Sequence, residues 1–300
     1  MTPAIYARHP GFAAPARASR ALWRLVFGIL AVEFMFAFLL SLFDQLIGAI
    51  NPALAEDIFY GATPVGLILQ LASFALLGLC LASVMQRQHG RSIWSAVGRI
   101  DEVVPTLIAV FGAVATLYIV IELLPPWWSR DALTDHRNPL LWLLTVPIGL
   151  TALLIQISTE EILYRGYIQQ QLAARFNATW VWLLVPNLLF AAAHWDNGES
   201  LIESWHYVIW AFCFGLAASD LTARTGNLGA AMGLHLANNA YAFLLFGEAG
   251  GADSGLALLL FPAAEAGGAD PAGTVLDLQL MIDLGVVWLS WLTARLVIRR

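Results

Sequence analysis

The sequence predicts an all-α, polytopic membrane protein with about eight transmembrane helices. Hydrophobic residues make up 59% of the 300-residue chain, only 12% of its residues are charged, and the mean hydropathy is +0.72. These values are typical of chains that reside in lipid and lie outside the range of most soluble domains. Tryptophans near the ends of apolar runs support the same fold class, because aromatic side chains gather at membrane interfaces. Examples are Trp127, Trp128, Trp180, Trp195 and Trp205.

The transmembrane elements are predicted from apolar runs of about 20 residues, the length that crosses a bilayer core. The runs are residues 22–43, 63–85, 104–124, 139–172, 178–195, 203–221, 228–247 and 275–297. The first is too long for a signal peptide, contains Glu33 and follows an arginine-bearing segment, so it is interpreted as an uncleaved anchor. The fourth is overlong, and we expect its C-terminal turns to tilt or to protrude from the membrane.

The arginines divide unequally between the two sides that eight spans would create. Only Arg130 and Arg137 fall on one side. The other side carries Arg8, Arg17, Arg20, Arg24, Arg87, Arg91, Arg99, Arg175, Arg224, Arg295, Arg299 and Arg300. Arginine is enriched in cytoplasmic loops. The sequence therefore predicts a multi-pass protein of a bacterial plasma membrane, with both termini and the 222–227 loop in the cytoplasm.

Other features of the composition exclude several classes of protein. Cys80 and Cys213 both lie in the middle of predicted spans, so a disulfide framework is not expected. The net charge of −6 disfavours nucleic-acid binding. The loop at 248–274 repeats the hexapeptide Glu-Ala-Gly-Gly-Ala-Asp at 248–253 and 265–270. These hexapeptides offer too few oxygen ligands for calcium, so the loop is predicted to be a flexible extracytoplasmic linker.

Three four-residue steps place polar groups inside the apolar runs. They are Glu160-Glu161-x-x-x-Arg165, Phe190-x-x-x-His194 and His235-x-x-x-Asn239. Residues four apart share one face of a helix. An acidic side chain in the hydrocarbon core costs about 2.5 kcal/mol or more, so ionisable residues there usually mark function. Together the three steps predict a buried reaction centre among helices four, five and seven.

The spacing along the helices predicts how far these groups can meet. Helices four and five should form an antiparallel pair joined near residues 176–177. At 1.5 Å rise per residue, Glu160 and His194 then both lie about 22–26 Å from that turn. His235 follows the Arg224 loop by roughly ten residues, which is shallower unless helix four protrudes.

Each step also has a structural interpretation. Glu160 fits a proton relay in a transporter, and Glu161 fits a neutralising partner for Arg165. His194 alone fits an interfacial residue, and the His235 step alone fits helix–helix hydrogen bonding. A silent scaffold or immunity protein would not need so many desolvated polar groups. The combination favours catalysis, in which one carboxylate is anchored and the other acts as a base.

The remaining polar residues of the spans are assigned to structure. They are Glu33, Asp44, Gln70, Glu122, His206 and Asp283.

In order and spacing, the three motifs resemble the signature of the CPBP family of intramembrane proteases. That family comprises the type II CAAX prenyl endopeptidases and the bacteriocin-processing enzymes, and the resemblance covers roughly residues 140–245. It implies an intramembrane endopeptidase that cleaves membrane-associated substrates, with prenylated CAAX-type proteins and leader peptides among the candidates. It also divides the chain into an N-terminal membrane region of three spans at 1–135, a catalytic core at 136–247, and a loop with the last span at 248–300.

The resemblance also implies a role for each motif residue. Glu160 would be the general base that activates water, and His194 would assist at the same water. Arg165 would pair with Glu161 and hold the helix face in register. His235 and Asn239 would either bind a metal or donate hydrogen bonds to the tetrahedral oxyanion.

The residue types leave metal binding open. Glu160, His194 and His235 are candidate ligands for a catalytic zinc, and the family has often been called one of metalloproteases. However, no His-Glu-x-x-His motif is present, and the amide of Asn239 suits an oxyanion better than zinc. We therefore predict a glutamate-activated water with no obligatory metal, and zinc as the alternative. The expected partners are the lipid bilayer and a peptide or lipidated protein substrate, without nucleic acid.

Overall fold

The computed structural model describes residues 4–124, 132–198, 200–262 and 274–299, and these ranges are almost entirely helical. The helices are α1 (His9–Phe12), α2 (Leu22–Ile50), α3 (Pro52–Tyr60), α4 (Pro64–Ser73), α5 (Ala75–His89), α6 (Ile100–Glu122), α7 (Pro139–Glu161), α8 (Gln169–Arg175), α9 (Thr179–Ala192), α10 (Leu201–Thr225), α11 (Gly229–Leu244) and α12 (Leu278–Ile298). Short 3₁₀ turns cover Ala4–Tyr6, Ala14–Ser19, Ile93–Ala96 and Trp195–Asn197. Trp127, Trp128, Arg130, Arg300 and the second hexapeptide at 265–270 lie outside the described residues.

Within the described ranges, six helices are long and apolar enough to cross a membrane. They are Leu22–Ile50, Pro64–His89, Ile100–Glu122, Pro139–Arg175, Leu201–Thr225 and Leu278–Ile298. The predicted all-α polytopic fold is therefore confirmed, and the protein is an integral membrane protein. The two other predicted spans correspond to α9 and α11, which have only 14 and 16 residues. At 1.5 Å per residue these helices are about 21 and 24 Å long, which is less than a bilayer core.

The overlong fourth span is a continuous helix of 37 residues with a change of winding in its middle. The α-helical winding of α7 ends at Glu161, and a π-helix over Ile162–Ile168 leads into α8. Such π segments are rare and are frequent at functional sites. The last turns were expected to tilt or protrude. They are covered by protein, because Gln169, Gln170 and Gln171 are at most 2% exposed.

The N-terminal segment, residues 4–19, provides part of this cover, at Gln169. His9 is 2% exposed, its ring centroid lies 4.2 Å from that of Trp182, and the Gln169 side chain donates to its Nε2 at 3.3 Å. Burial lowers the pKa of the His9 imidazole to about 4, because the low-dielectric surroundings disfavour the charged ring. The N-terminal segment is thus an integral part of the fold.

Residues from both ends of the chain meet at Asp220 near the end of α10. The Tyr6 hydroxyl donates to its Oδ1 at 2.7 Å, and the Trp291 indole donates to its Oδ2 at 2.9 Å. Arg224 also binds Oδ2 at 2.7 Å, one helical turn further along α10. The N-terminal segment and the C-terminal half of α12 therefore lie at the same end of the helix bundle.

Helix α11 is buried along most of its length and packs closely on α6. It starts after Gly226, whose φ of 71° ends α10 in the left-handed region, and the Asn227 side chain caps its first amide. A Cβ at Gly229 would lie 2.4 Å from the Val103 carbonyl oxygen, and one at Gly233 would also meet α6 backbone. Small residues allow such close approach between membrane helices. Burial on all sides explains why the sequence of α11 is as apolar as that of a membrane span although the helix is short.

In the described part of the loop after α11, residues 246–262 include two strands, so the prediction of a flexible linker is wrong for 248–262. Strands β1 (Asp135–His136), β2 (Phe246–Glu248) and β3 (Leu259–Phe261) form a sheet in the order β1-β3-β2, antiparallel between β1 and β3 and parallel between β2 and β3. The Trp142 indole donates to the Leu244 carbonyl at the end of α11 and to the Leu256 carbonyl in the loop, at 3.0 Å each. Arg137 donates to two further carbonyls at 2.9 and 3.2 Å. These side chains satisfy backbone groups that a glycine-rich loop leaves unpaired.

Candidate active site

Glu161 is the anchored carboxylate of the pair at the end of α7. Its side chain is fully buried, and its Oε1 accepts hydrogen bonds from Arg165 Nη1 at 3.0 Å and from His235 Nδ1 at 2.8 Å. Since an ionised carboxylate only accepts, Nδ1 of His235 carries a proton. The predicted contact between Glu161 and Arg165 is present, and it extends to the helix that carries His235.

Glu160 is the more accessible carboxylate, with its side chain 14% exposed. Its Oε1 accepts from Gln156 Nε2 at 2.6 Å, and its Oε2 lies 3.7 Å from His235 Nε2. The two adjacent glutamates therefore contact opposite nitrogens of one imidazole. Their environments differ, because only Glu161 has an arginine partner.

Gln156 connects the base candidate to the oxyanion candidate. While its Nε2 donates to Glu160, its Oε1 accepts from Asn239 Nδ2 at 2.9 Å. Gln156 is not among the site residues predicted from the sequence. The spacing could have indicated it, because Gln156 stands four residues before Glu160 and repeats the spacing of the three motifs. An amide inside an apolar run is, however, a weaker signal than a charge.

His194 lies beyond the end of α9, at the start of the Trp195–Asn197 turn. Its Nδ1 donates to the Phe190 carbonyl at 2.7 Å, which leaves Nε2 as the acceptor of the neutral ring. The ring centroids of His194 and Phe190 are 4.4 Å apart. The Phe190 ring also contacts the His235 ring edge-on, with centroids 6.2 Å apart.

All six candidate residues therefore lie in one neighbourhood. Hydrogen bonds and the close approach of Glu160 to His235 link Glu160, Glu161, Arg165, His235 and Asn239, while His194 joins them through Phe190. The expected difference in depth for His235 is not present, because it contacts both glutamates. The helix that carries the glutamates continues for 14 residues beyond Glu161, through the π-helix and α8. This extra length places the two glutamates at the same depth as His235.

The metal candidates do not form a ligand set in this arrangement. A catalytic zinc needs three protein ligands that point at one position. Among the described residues, no three His, Cys, Asp or Glu side chains are grouped in a way that could hold a metal ion. The zinc alternative therefore gains no support from the described residues.

Several polar residues assigned to structure make contacts away from this site. Glu122 accepts a short hydrogen bond from the Tyr241 hydroxyl. Asp283 accepts from Gln279 at 3.0 Å, and His206 lies 3.8 Å from Asp277. These contacts are consistent with the structural assignment.

Comparison with known families gives a match to the segment that carries these residues. Residues 141–241 match the family described as type II CAAX prenyl endopeptidase Rce1-like. This segment is similar to the Rce1-like family. It runs from the start of α7 to near the end of α11, about a third of the chain, and contains all six candidate residues and Gln156. A search of curated proteins and a search of solved structures found no match.

The Rce1-like segment confirms the resemblance to the CPBP and CAAX protease group. It indicates CAAX-type endopeptidase activity in general terms, in a protein with several membrane-spanning helices.

Proposed function

We propose that the protein hydrolyses peptide bonds of membrane-associated substrates with a water molecule activated by Glu160. The observation that carries the proposal is the asymmetry of the glutamate pair inside the Rce1-like segment. Glu161 is fully buried and bonded to Arg165 and His235, whereas Glu160 is partly exposed and has no arginine partner among the described residues. One carboxylate is thereby held as an anchor, and the other is accessible to a water molecule.

In the first step, Glu160 accepts a proton from water while the water oxygen bonds to the scissile carbonyl carbon. His194 assists by accepting a hydrogen bond from the same water at Nε2. The carbonyl becomes a tetrahedral oxyanion, and the second N–H of Asn239 Nδ2 donates to it, since the first is used by Gln156. His235 can donate from Nε2 only when it is doubly protonated. The C–N bond then breaks, and Glu160 returns its proton to the leaving amine.

The substrate side of the proposal follows from the family and the membrane setting. Prenylated CAAX-type proteins and leader peptides are the substrate classes we propose, and both reach the enzyme from the lipid bilayer. We place the protein in a bacterial plasma membrane with both termini in the cytoplasm. The arginine distribution supports this orientation, and so does the meeting of both chain ends at Asp220.

Glu160→Gln is expected to abolish proteolysis without loss of folded protein, because glutamine keeps the shape but cannot accept the proton. General-base assistance contributes about 10²–10⁴ in rate, so the loss will be large. The measurement is mass spectrometry of newly formed peptide termini in membranes that contain the wild type or the variant. An internally quenched farnesylated peptide with a CAAX terminus provides the purified assay.

The matched control is Asp283→Asn, which neutralises a membrane carboxylate of α12 that hydrogen-bonds Gln279. Equal cleavage by the wild type and Glu160→Gln would contradict the role of Glu160. Cleavage of the peptide only when it carries the farnesyl group would assign the prenylated substrate class.

A further inference from the structure

We propose that Asn187 is a positioning residue for this reaction, acting through Arg165 on Glu161 and His235. The inference rests on the proposed function and deepens it. Asn187 lies on α9, is fully buried, and stands three residues before Phe190. It is not part of any of the three sequence motifs.

The amide of Asn187 is oriented by contacts on both of its ends. Its Nδ2 donates to the Leu183 carbonyl and to Ser219 Oγ, the latter at 2.9 Å. Its Oδ1 accepts from Arg165 Nη2 at 3.3 Å and lies at the same distance from Ser219 Oγ. The amide therefore connects α9 and α10 to the helix that carries the glutamates.

Helix α10 packs against the contact between Asn187 and Arg165 at Gly215. A Cβ placed on Gly215 would lie 2.5 Å from Asn187 Oδ1 and 3.0 Å from Arg165 Nη2. Real side chains do not approach so closely, so a methyl group at this position would have to separate the two polar groups. The glycine at 215 thus fits the requirement for an undisturbed Asn187–Arg165 contact.

Arg165 is held from three directions as a result. Its Nη1 donates to Glu161, its Nη2 donates to Asn187, and its Cζ lies 4.4 Å above the Phe190 ring. Glu161 in turn orients the His235 imidazole through Oε1. If Nη2 loses its acceptor, the Arg165 guanidinium can rotate. The Glu161 carboxylate then loses its fixed orientation, and so does the His235 imidazole that faces Glu160.

A purely structural role for Asn187 predicts a different pattern. A leucine of similar size would preserve the packing of α9, and an aspartate would preserve the acceptor for Arg165. If only packing matters, leucine is the better substitute. If the acceptor matters, aspartate is the better substitute, and the effect appears in kcat because the chemistry is misaligned after the substrate has bound.

The experiment compares the wild type with Asn187→Leu, Asn187→Asp and Gly215→Ala in lipid nanodiscs, with the quenched farnesylated peptide as the probe. We expect Asn187→Leu and Gly215→Ala to lower kcat roughly 10–100-fold, as loss of an orienting partner usually does, with KM changed less than about twofold. Asn187→Asp is expected to keep most of the wild-type kcat. Gly285→Ala is the matched control, because a Cβ at Gly285 would meet no atom within 4 Å.

Wild-type kcat in Asn187→Leu, an Asp variant as impaired as the Leu variant, or a change confined to KM would each overturn the inference. If Asn187→Leu does not accumulate, Gly215→Ala and Ser219→Ala test the same link with smaller changes of the core. Glu160→Gln is measured in the same series. If it cleaves like the wild type, or if the wild type cleaves neither the peptide nor membrane proteins, the proposed function fails first. If Glu160→Gln does not cleave the peptide while Asn187→Leu cleaves it at the wild-type rate, only the role of Asn187 is refuted.

Discussion

At the scale of single residues, the arginine partner separates the two adjacent glutamates. Glu161 shares its Oε1 between Arg165 and His235 and has no exposed surface. A buried ion pair of this kind contributes little net stability, but removing one partner leaves an unpaired charge in a low-dielectric interior.

Arg165→Ala is therefore expected to reduce the amount of folded protein. The cost of breaking a buried pair is about 3–5 kcal/mol. The amount in membranes and the thermal midpoint in detergent are the measurements. The double variant Glu161→Gln with Arg165→Met removes both charges and should recover part of the abundance without recovering proteolysis. Normal abundance of Arg165→Ala would show that Glu161 is not charged in the fold.

Gln156 gives a second test at this scale. Gln156→Ala removes both the donor to Glu160 and the acceptor for Asn239, so two groups of the reaction lose their orientation. We expect kcat for the farnesylated peptide to fall roughly 10–100-fold, by analogy with other orienting partners. Gln279→Ala on α12 is the control, since it removes an exposed hydrogen bond of the same type. Unchanged kcat in Gln156→Ala would remove Gln156 from the site.

These residues also show where sequence reasoning works and where it stops. The contact of Glu161 with Arg165 was predictable, because a spacing of four is a local rule of one helix. The contacts of Gln156 with Asn239 and of Asn187 with Arg165 join different helices. They depend on how the helices pack against each other, which spacing along one chain does not determine.

At the scale of elements, the helix ends were the least predictable feature. Helix α9 stops at Ala192, although the apolar run continues to Trp195. The winding changes after Glu161 without a proline or glycine at that point. The glycines of the loop at 248–262 predict flexibility, yet Trp142 and Arg137 donate to the carbonyls of Leu256 and Ala257 from distant positions in the chain.

The N-terminal segment, residues 4–19, yields a prediction of pH dependence. The folded state holds the pKa of His9 at about 4, below the ordinary value of 6.5. The unfolded chain therefore binds a proton more readily between these values. The stability that neutral His9 contributes is complete above pH 6.5 and is lost as the pH falls towards 4.

From pH 7 to pH 5 the wild type should lose about 2 kcal/mol of unfolding free energy through this group. His9→Gln does not titrate, so its unfolding free energy should change less over the same range. Chemical unfolding in detergent at the two pH values measures the difference. The same pH dependence in both proteins would show that His9 is not buried as the neutral ring.

At the scale of the whole molecule, the two chain ends lie at one end of the bundle and the β-sheet loop follows the opposite end of α11. Ala18 and Ser92 are exposed in the N-terminal half, and Ala252 is exposed in the loop. With Cys80 and Cys213 replaced, Ala18→Cys and Ser92→Cys should react with a membrane-impermeant maleimide only after permeabilisation. Ala252→Cys should react in intact cells. Reaction of Ala18→Cys and Ala252→Cys from the same side would refute the topology.

The shortness of α9 has a consequence for the surrounding lipid. Its 14 residues span about 21 Å, against a typical hydrocarbon thickness of about 30 Å. Trp180 and Leu188 on its outer face are exposed, so this short helix borders the acyl chains directly. A bilayer adapts to such hydrophobic mismatch by thinning locally. We expect a dent in the membrane beside α9, which lowers the water boundary towards His194 and provides a source of the water that hydrolysis consumes.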